Sequence, residues 1–168
     1  MSRYVALVRG VNVIGANKLP MATLRSLCGD CGFQQVATYI ASGNVVLESR
    51  CGPARVKSEL EARLLAYLGR PIAVFVRTGA EMRAVLEANP FRKTEPSHTF
   101  AFFLENAPPE DSISRARRRT DEEIRLGRRE LYVYYPSGMG QSRLEIPAAK
   151  VATARNMNTV AQLVAMST

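Results

Sequence analysis

VATYIASGNVVLE, residues 36–48, reads as a β-hairpin. Val36 to Ile40 and Val45 to Glu48 are rich in β-branched residues, and Ser42-Gly43-Asn44 between them has the chemistry of a tight turn. Upstream, Met21, Leu24, Leu27, Cys28 and Cys31 recur at helical spacing with Gly32 as a stop, and an apolar strand, Tyr4 to Val8, precedes them. Downstream, Pro53 opens a helix whose Val56, Leu60, Leu64 and Leu68 fall four apart, and Gly69 closes it before the strand Ile72 to Val76. The hairpin is thus flanked on each side by a helix and a strand. That order is the ferredoxin-like βαββαβ unit.

The first strand is apolar on both faces, with Tyr4, Ala6 and Val8 on one and Val5 and Leu7 on the other. Helices can cover only one face of such a sheet, so the other requires a further layer. The expectation is an α+β protein in which a ferredoxin-like βαββαβ N-terminal half, residues 1–78, carries a second α+β half, residues 79–168, packed on it as one compact unit. The second half reads as a helix at Ala80 to Ala88, a strand at Thr99 to Glu105 and a polar helix from Pro109 to Arg118. A hairpin follows, with arms Glu123 to Leu126 and Leu131 to Tyr135 around Gly127, then a short helix near Ser142 and a last one from Met157 to Ala165. The two element orders are close enough to raise a degenerate duplication. Asn89 to Ser97, carrying Pro90 and Pro96, is the place for a linker.

Charge is distributed unevenly. The chain has 168 residues and a net charge of +8; its first 84 residues hold 11 basic and 5 acidic side chains, the remainder 12 and 10. A basic balance favours anionic partners by long-range attraction, whatever the fold. No run approaches the roughly 18 apolar residues of a membrane span, and the amino terminus lacks a signal core, so the chain is expected to be cytoplasmic with no membrane partner.

Four polar loops share a composition of Arg, Asn, Ser and Gly: RGVNVIGANK at 9–18, ASGN at 41–44, PSGMGQSRL at 136–144 and TARNMNT at 153–159. The first lies at a strand-to-helix corner, and the third reads as a strand running into a helix start, where free amides and a positive dipole end meet an anion. Neither is a six-residue glycine fingerprint or a P-loop, since no Gly-Lys-Ser follows. Asn156, Asn158 and Thr159 compete for one helix cap, so at most one of them fills it.

Other constellations point away from chemistry. Cys28-Gly29-Asp30-Cys31, with Cys51 and His98, could supply four zinc ligands by residue type. Both thiols of the pair, however, fall on the apolar stripe and at the carboxyl end of the first helix, where the dipole disfavours thiolate, so packing is the expected role and no metal is expected. Arg115, Arg117, Arg118 and Arg119 read as a solvated face beside Asp121, Glu122 and Glu123. Nucleic acid is not favoured: an RNA-binding sheet of this topology stacks bases on aromatics of its first and third strands, and Val45 to Glu48 has none. His98 is the only histidine, no G-x-S-x-G elbow occurs, and the polar loops hold scarcely a carboxylate to act as a general base.

Five separated segments resemble the bacterial domain of unknown function family numbered 1697: VALVRGVNVIGANKLPMATLR at 5–25, TYIASGNVVLES at 38–49, NPF at 89–91, YYPSGMGQSRL at 134–144 and TARNMNTV at 153–160. The resemblance runs from the first strand to the last helix. It implies an α+β fold of ferredoxin-like pieces in a small bacterial protein, with no activity, substrate or cofactor attached. The family's last segment usually has an aromatic where this chain has Met157, and the cysteine pair is not part of its pattern.

Donors and cations without a base predict holding rather than transforming. The expected function is binding of a small anionic, phosphate- or nucleotide-like ligand where the loops at 9–18, 42–44 and 155–159 converge. Arg9, Lys18 and Arg155 would supply charge, and Asn12, Ser42, Asn44, Ser142, Asn156 and Asn158 oriented hydrogen bonds. No catalytic residue and no cofactor is assigned. An enzyme acting on a phosphorylated or nucleotide substrate by electrostatic stabilisation, nonspecific nucleic-acid binding, and loops that only tie the halves together stay open beside it.

Overall fold

The computed structural model describes residues 1–168. The chain divides into two compact units, Met1–Met82 with Leu163–Thr168, and Arg83–Gln162.

The first unit holds β1 (Ser2–Val8), α1 (Met21–Asp30), β2 (Gln34–Thr38), β3 (Asn44–Ser49), α2 (Pro53–Leu68) and β4 (Val74–Thr78). Its strands pair in the order β2-β3-β1-β4, every neighbour antiparallel, which is the ferredoxin-like arrangement. Tyr4, Ala6, Val8, Val45, Leu47, Val74 and Val76 form one face of this sheet and pack with Leu24 and Cys28 of α1 and Val56, Leu60 and Leu64 of α2. Burying each such leucine contributes ~1.5–3 kcal/mol. The opposite face is out of solvent too, since Val5 and Leu7 are buried, and so is Arg77 on β4, at 1 % exposure. Helices α1 and α2 pack on the first of these faces.

The hairpin is looser than its turn chemistry predicts. Strand β2 ends at Thr38, two residues earlier than expected, because Ile40 takes a positive φ of 49° and Tyr39 N–H bonds to Asn44 O at 3.0 Å. Gln35, also at positive φ, accompanies a register shift between Gln34 and Ala37.

The second unit holds β5 (Thr99–Phe103), β6 (Glu123–Leu126), β7 (Glu130–Tyr134) and β8 (Thr153–Asn156), ordered β6-β7-β5-β8 and again wholly antiparallel. Each position corresponds to one in the first sheet. Arg77 on β4 lies opposite Val5 of β1, and Arg155 on β8 lies opposite Ala101 of β5. Each arginine is followed by a helix cap and a helix: Thr78 Oγ1 accepts from Glu81 N–H ahead of α3 (Gly79–Glu87), and Asn156 Oδ1 accepts from Thr159 N–H ahead of α4 (Met157–Met166). Both units repeat one plan.

They differ in the crossovers. The expected polar helix at Pro109 to Arg118 is instead a run of turns. Ser112 and Ser114 bond back to the carbonyls of Pro109 and Asp111, only Ile113 and Ala116 reach the core, and Arg118 has φ +56°. A helix with so little apolar face has nothing to hold it. The expected helix near Ser142 is likewise a single 3-10 turn, Met139–Gln141, entered through Gly138 at φ +85°. Residues 89–97 are packed rather than slack: Phe91 is buried, with Arg125 over its ring at 5.5 Å. No helix is long and apolar enough to cross a membrane.

Candidate functional site

The loop at 9–18 leaves β1 as Val8 N–H bonds to Gly43 O and Arg9 N–H bonds to Ala73 O. Gly10, Asn12, Gly15 and Asn17 all have positive φ, between 54° and 73°, so each Gly and Asn of RGVNVIGANK occupies a left-handed position. These are the residue types that tolerate it. Asn12 N–H bonds to Asn17 O and Ala16 N–H to Val13 O, closing a small ribbon, and Asn17 Nδ2 donates to Gly10 O at 2.8 Å. Val11 and Leu19 plug the loop into the first core, while Ile14 at its tip is fully exposed.

The asparagines expected to meet a ligand are engaged within the chain. Asn12 Nδ2 donates to Leu19 O at 2.8 Å and to Ala41 O at 2.7 Å, and its Oδ1 accepts from Leu19 N–H at 2.7 Å. Asn44, fully buried, donates to Tyr39 O at 2.9 Å and to Ser42 Oγ at 2.8 Å. The structure brings the 9–18 loop and the Ala41 turn together, with the Asn12 side chain as the tie. Arg9 and Lys18 are exposed.

The remaining candidates belong to the second unit. Ser142 donates its hydroxyl to Glu122, whose carboxylate also takes Thr120 N–H at 2.6 Å. Burial pulls the Glu122 carboxyl upward, but the bonds from Ser142 and Thr120 outweigh it and leave it below the usual carboxylate range. Arg155 is 6 % exposed, donates to Thr153 Oγ1 at 2.6 Å and to Ala154 O at 2.9 Å, and burial pushes its guanidinium down to about 10. Asn156 is the helix cap, and Asn158 is exposed.

What the loop at 9–18 offers a solute is a recess of about 660 Å³ between it and the end of α2, lined by Asn17, Lys18, Pro20, Tyr67, Leu68 and Arg70. Gly69, at φ +75°, caps α2 through its N–H to Leu65 O and turns the chain so that Arg70 lines this recess. Neither Lys18 nor Arg70 makes a hydrogen bond or ion pair within the chain. Tyr67 is 48 % exposed beside them. Tyr67 and Arg70 escaped sequence reasoning, although an aromatic off the Val56-Leu60-Leu64 stripe of α2 was the available signal.

Cys28 lies in the first core, where burial pushes its thiol up to about 12; Cys31 is raised by its own burial. All three cysteines are free thiols. No group of three or more His, Cys, Asp or Glu side chains is placed to hold a metal ion.

No curated protein matches the chain. Among solved structures, the conserved bacterial protein SP0830 from Streptococcus pneumoniae is similar, 24% identical with a TM-score of 0.82 over 99% of each chain, which shows the fold. A family model described as protein of unknown function, DUF1697, matches residues 1–132. The loop at 9–18, the hairpin and both recess-lining cations fall inside that span, and the chain belongs to the DUF1697 family.

Proposed function

We propose that this protein binds a small phosphate-bearing ligand, nucleotide-like in carrying a flat ring beside its charge, in the recess between the 9–18 loop and the end of α2. The observation that carries this reading is that Lys18 and Arg70 line one recess with no partner in the chain. Two unneutralised cations in one concavity attract an anion, and an arginine fork suits phosphate oxygens. Tyr67 offers a ring face for stacking. The volume, about 660 Å³, falls within the usual range of ligand sites, ~300–1,000 Å³. Asn12 holds the loop in shape through Leu19 and Ala41, and Asn17 does so through Gly10 while lining the recess. The setting proposed is a bacterial cytoplasm, consistent with three unpaired thiols.

Calorimetric titration with a nucleoside triphosphate tests this. Lys18→Ala with Arg70→Ala is expected to weaken binding tenfold or more, since a charged hydrogen bond contributes ~1.5–3 kcal/mol. Equal affinity in wild type and the double variant would remove the site.

A further inference from the structure

The geometry points to an anion-binding site in the second unit that takes a pyrophosphate group, at a recess of about 600 Å³ lined by Arg118, Arg119, Thr120, Gln141 and Arg143. Two separate segments supply its arginines, and an isolated β-bridge fixes them side by side: Arg117 N–H bonds to Glu145 O at 2.8 Å and Glu145 N–H to Arg117 O at 2.9 Å. Two acids lie nearby with their carboxylates turned to other groups: Glu122 accepts from Thr120 N–H and the Ser142 hydroxyl, and Asp121 accepts from Ser137 Oγ at 2.7 Å. Their charges offset part of the cluster's. Glu145 stands 3.8 Å from Arg118, with both side chains more than half exposed, a weak pair in water. Arg119 commits only its Nε, to Glu122 O at 2.7 Å, which fixes the side chain and leaves its terminal amino groups to the recess. Arg143 has no partner in the chain.

Arg118, Arg119 and Arg143 line one hollow, the bridge fixes the two backbone segments that carry them, and like charges gathered there repel. A multiply charged anion relieves that repulsion. Planar forks approaching from two segments match phosphate oxygens bidentately, and two linked phosphates use three forks better than one does. The chemistry is shared by free pyrophosphate and by the di- or triphosphate of a nucleotide, with Thr120 and Gln141 as further polar groups at the rim.

The test is a residue-resolved NMR titration of the full chain with inorganic pyrophosphate, with a nucleoside triphosphate, and with a single-stranded RNA oligonucleotide in separate arms. Saturable shifts at the Thr120, Gln141 and Arg143 amides with pyrophosphate, weakened at least tenfold by Arg143→Gln and partly restored by Arg143→Lys, support the site. Tighter binding of the triphosphate than of pyrophosphate at these amides identifies a nucleotide as the source; the reverse identifies the free anion. The Lys18→Ala, Arg70→Ala variant is expected to leave these shifts unchanged, which separates this site from the first recess. Shifts that never saturate, wild-type affinity in Arg143→Gln, or a response to RNA alone would overturn it.

Discussion

Asn12 Nδ2 donates to the carbonyl of Ala41 at 2.7 Å, joining the left-handed loop after β1 to the turn of the β2-β3 hairpin. The same side chain brackets Leu19, accepting from its N–H and donating to its carbonyl, so one residue sets both where the loop leaves the sheet and where α1 begins. Lys18 stands next to that clamp, at the mouth of the recess. The asparagine positions the cation without needing to touch what the cation meets.

Removing the clamp should therefore loosen the loop before it unfolds the protein. Asn12→Ala loses three hydrogen bonds, about 1.5–4.5 kcal/mol at ~0.5–1.5 per bond, and also places alanine at φ 55°. A lowered Tm, with amide exchange quickened most over residues 10–19, is the expected outcome. An unchanged exchange pattern would show that the ribbon between Val13 and Ala16 suffices alone.

Gly43 tolerates no side chain. A Cβ there would lie 2.8 Å from Val11 Cγ2 and 3.0 Å from Val8 Cβ, at φ +91°. Gly43→Ala should cost about 2–5 kcal/mol, from left-handed strain of ~1–2 and overpacking of ~1–3. Chemical denaturation is the check, and a loss under ~0.5 kcal/mol, the range of an ordinary surface change, would mean the hairpin turn shifts freely.

Acid stability should depend on Glu122. Its carboxyl sits below the usual range in the folded chain, so it contributes stability above the ordinary carboxylate pKa and loses it as pH falls through the folded value. The Tm difference between wild type and Glu122→Gln should be largest near neutrality and shrink as pH drops below ~4.3, the unperturbed glutamate value. A difference that stays constant down to the acid transition would assign Glu122 no titrating role.

Thiol reactivity should separate the cysteines. Cys28, fully buried and pushed up to about 12, should resist alkylation at pH 8 until the chain unfolds, whereas Cys31 and Cys51, partly exposed, react in the native state. Mass spectrometry of the labelled native protein reads this directly, and early labelling of Cys28 would mean that α1 opens readily.

The first sheet was legible because its signals are local and redundant. Leu24 and Cys28 fall on one helical stripe, Val56, Leu60 and Leu64 on another, and all end in the same core. The second unit was harder, since its crossovers are turns with almost no periodicity; Ser112 and Ser114 satisfy backbone groups that a helix would have satisfied. Its relation to the first was written in RTGAEM and RNMNTV, where an arginine and a helix cap recur, but strand pairing had to be known before that short likeness meant anything. At the site, Lys18 was visible and Arg70 was not, because proximity between residues 18 and 70 is a product of the fold. Asn12 and Asn17 stood out by residue type, and the type that suits a ligand also suits their φ near 55°.

The most direct test of the recess is a residue-resolved NMR titration with a nucleoside triphosphate of wild type and of Lys18→Ala, Arg70→Ala. The variant should fold with a Tm near that of wild type, because neither cation has a partner to lose. Saturable shifts at Gly15 to Lys18 and Tyr67 to Arg70 in wild type, weakened tenfold or more in the variant, are the predicted result. Shifts absent from those two segments, or of equal strength in both proteins, would contradict it.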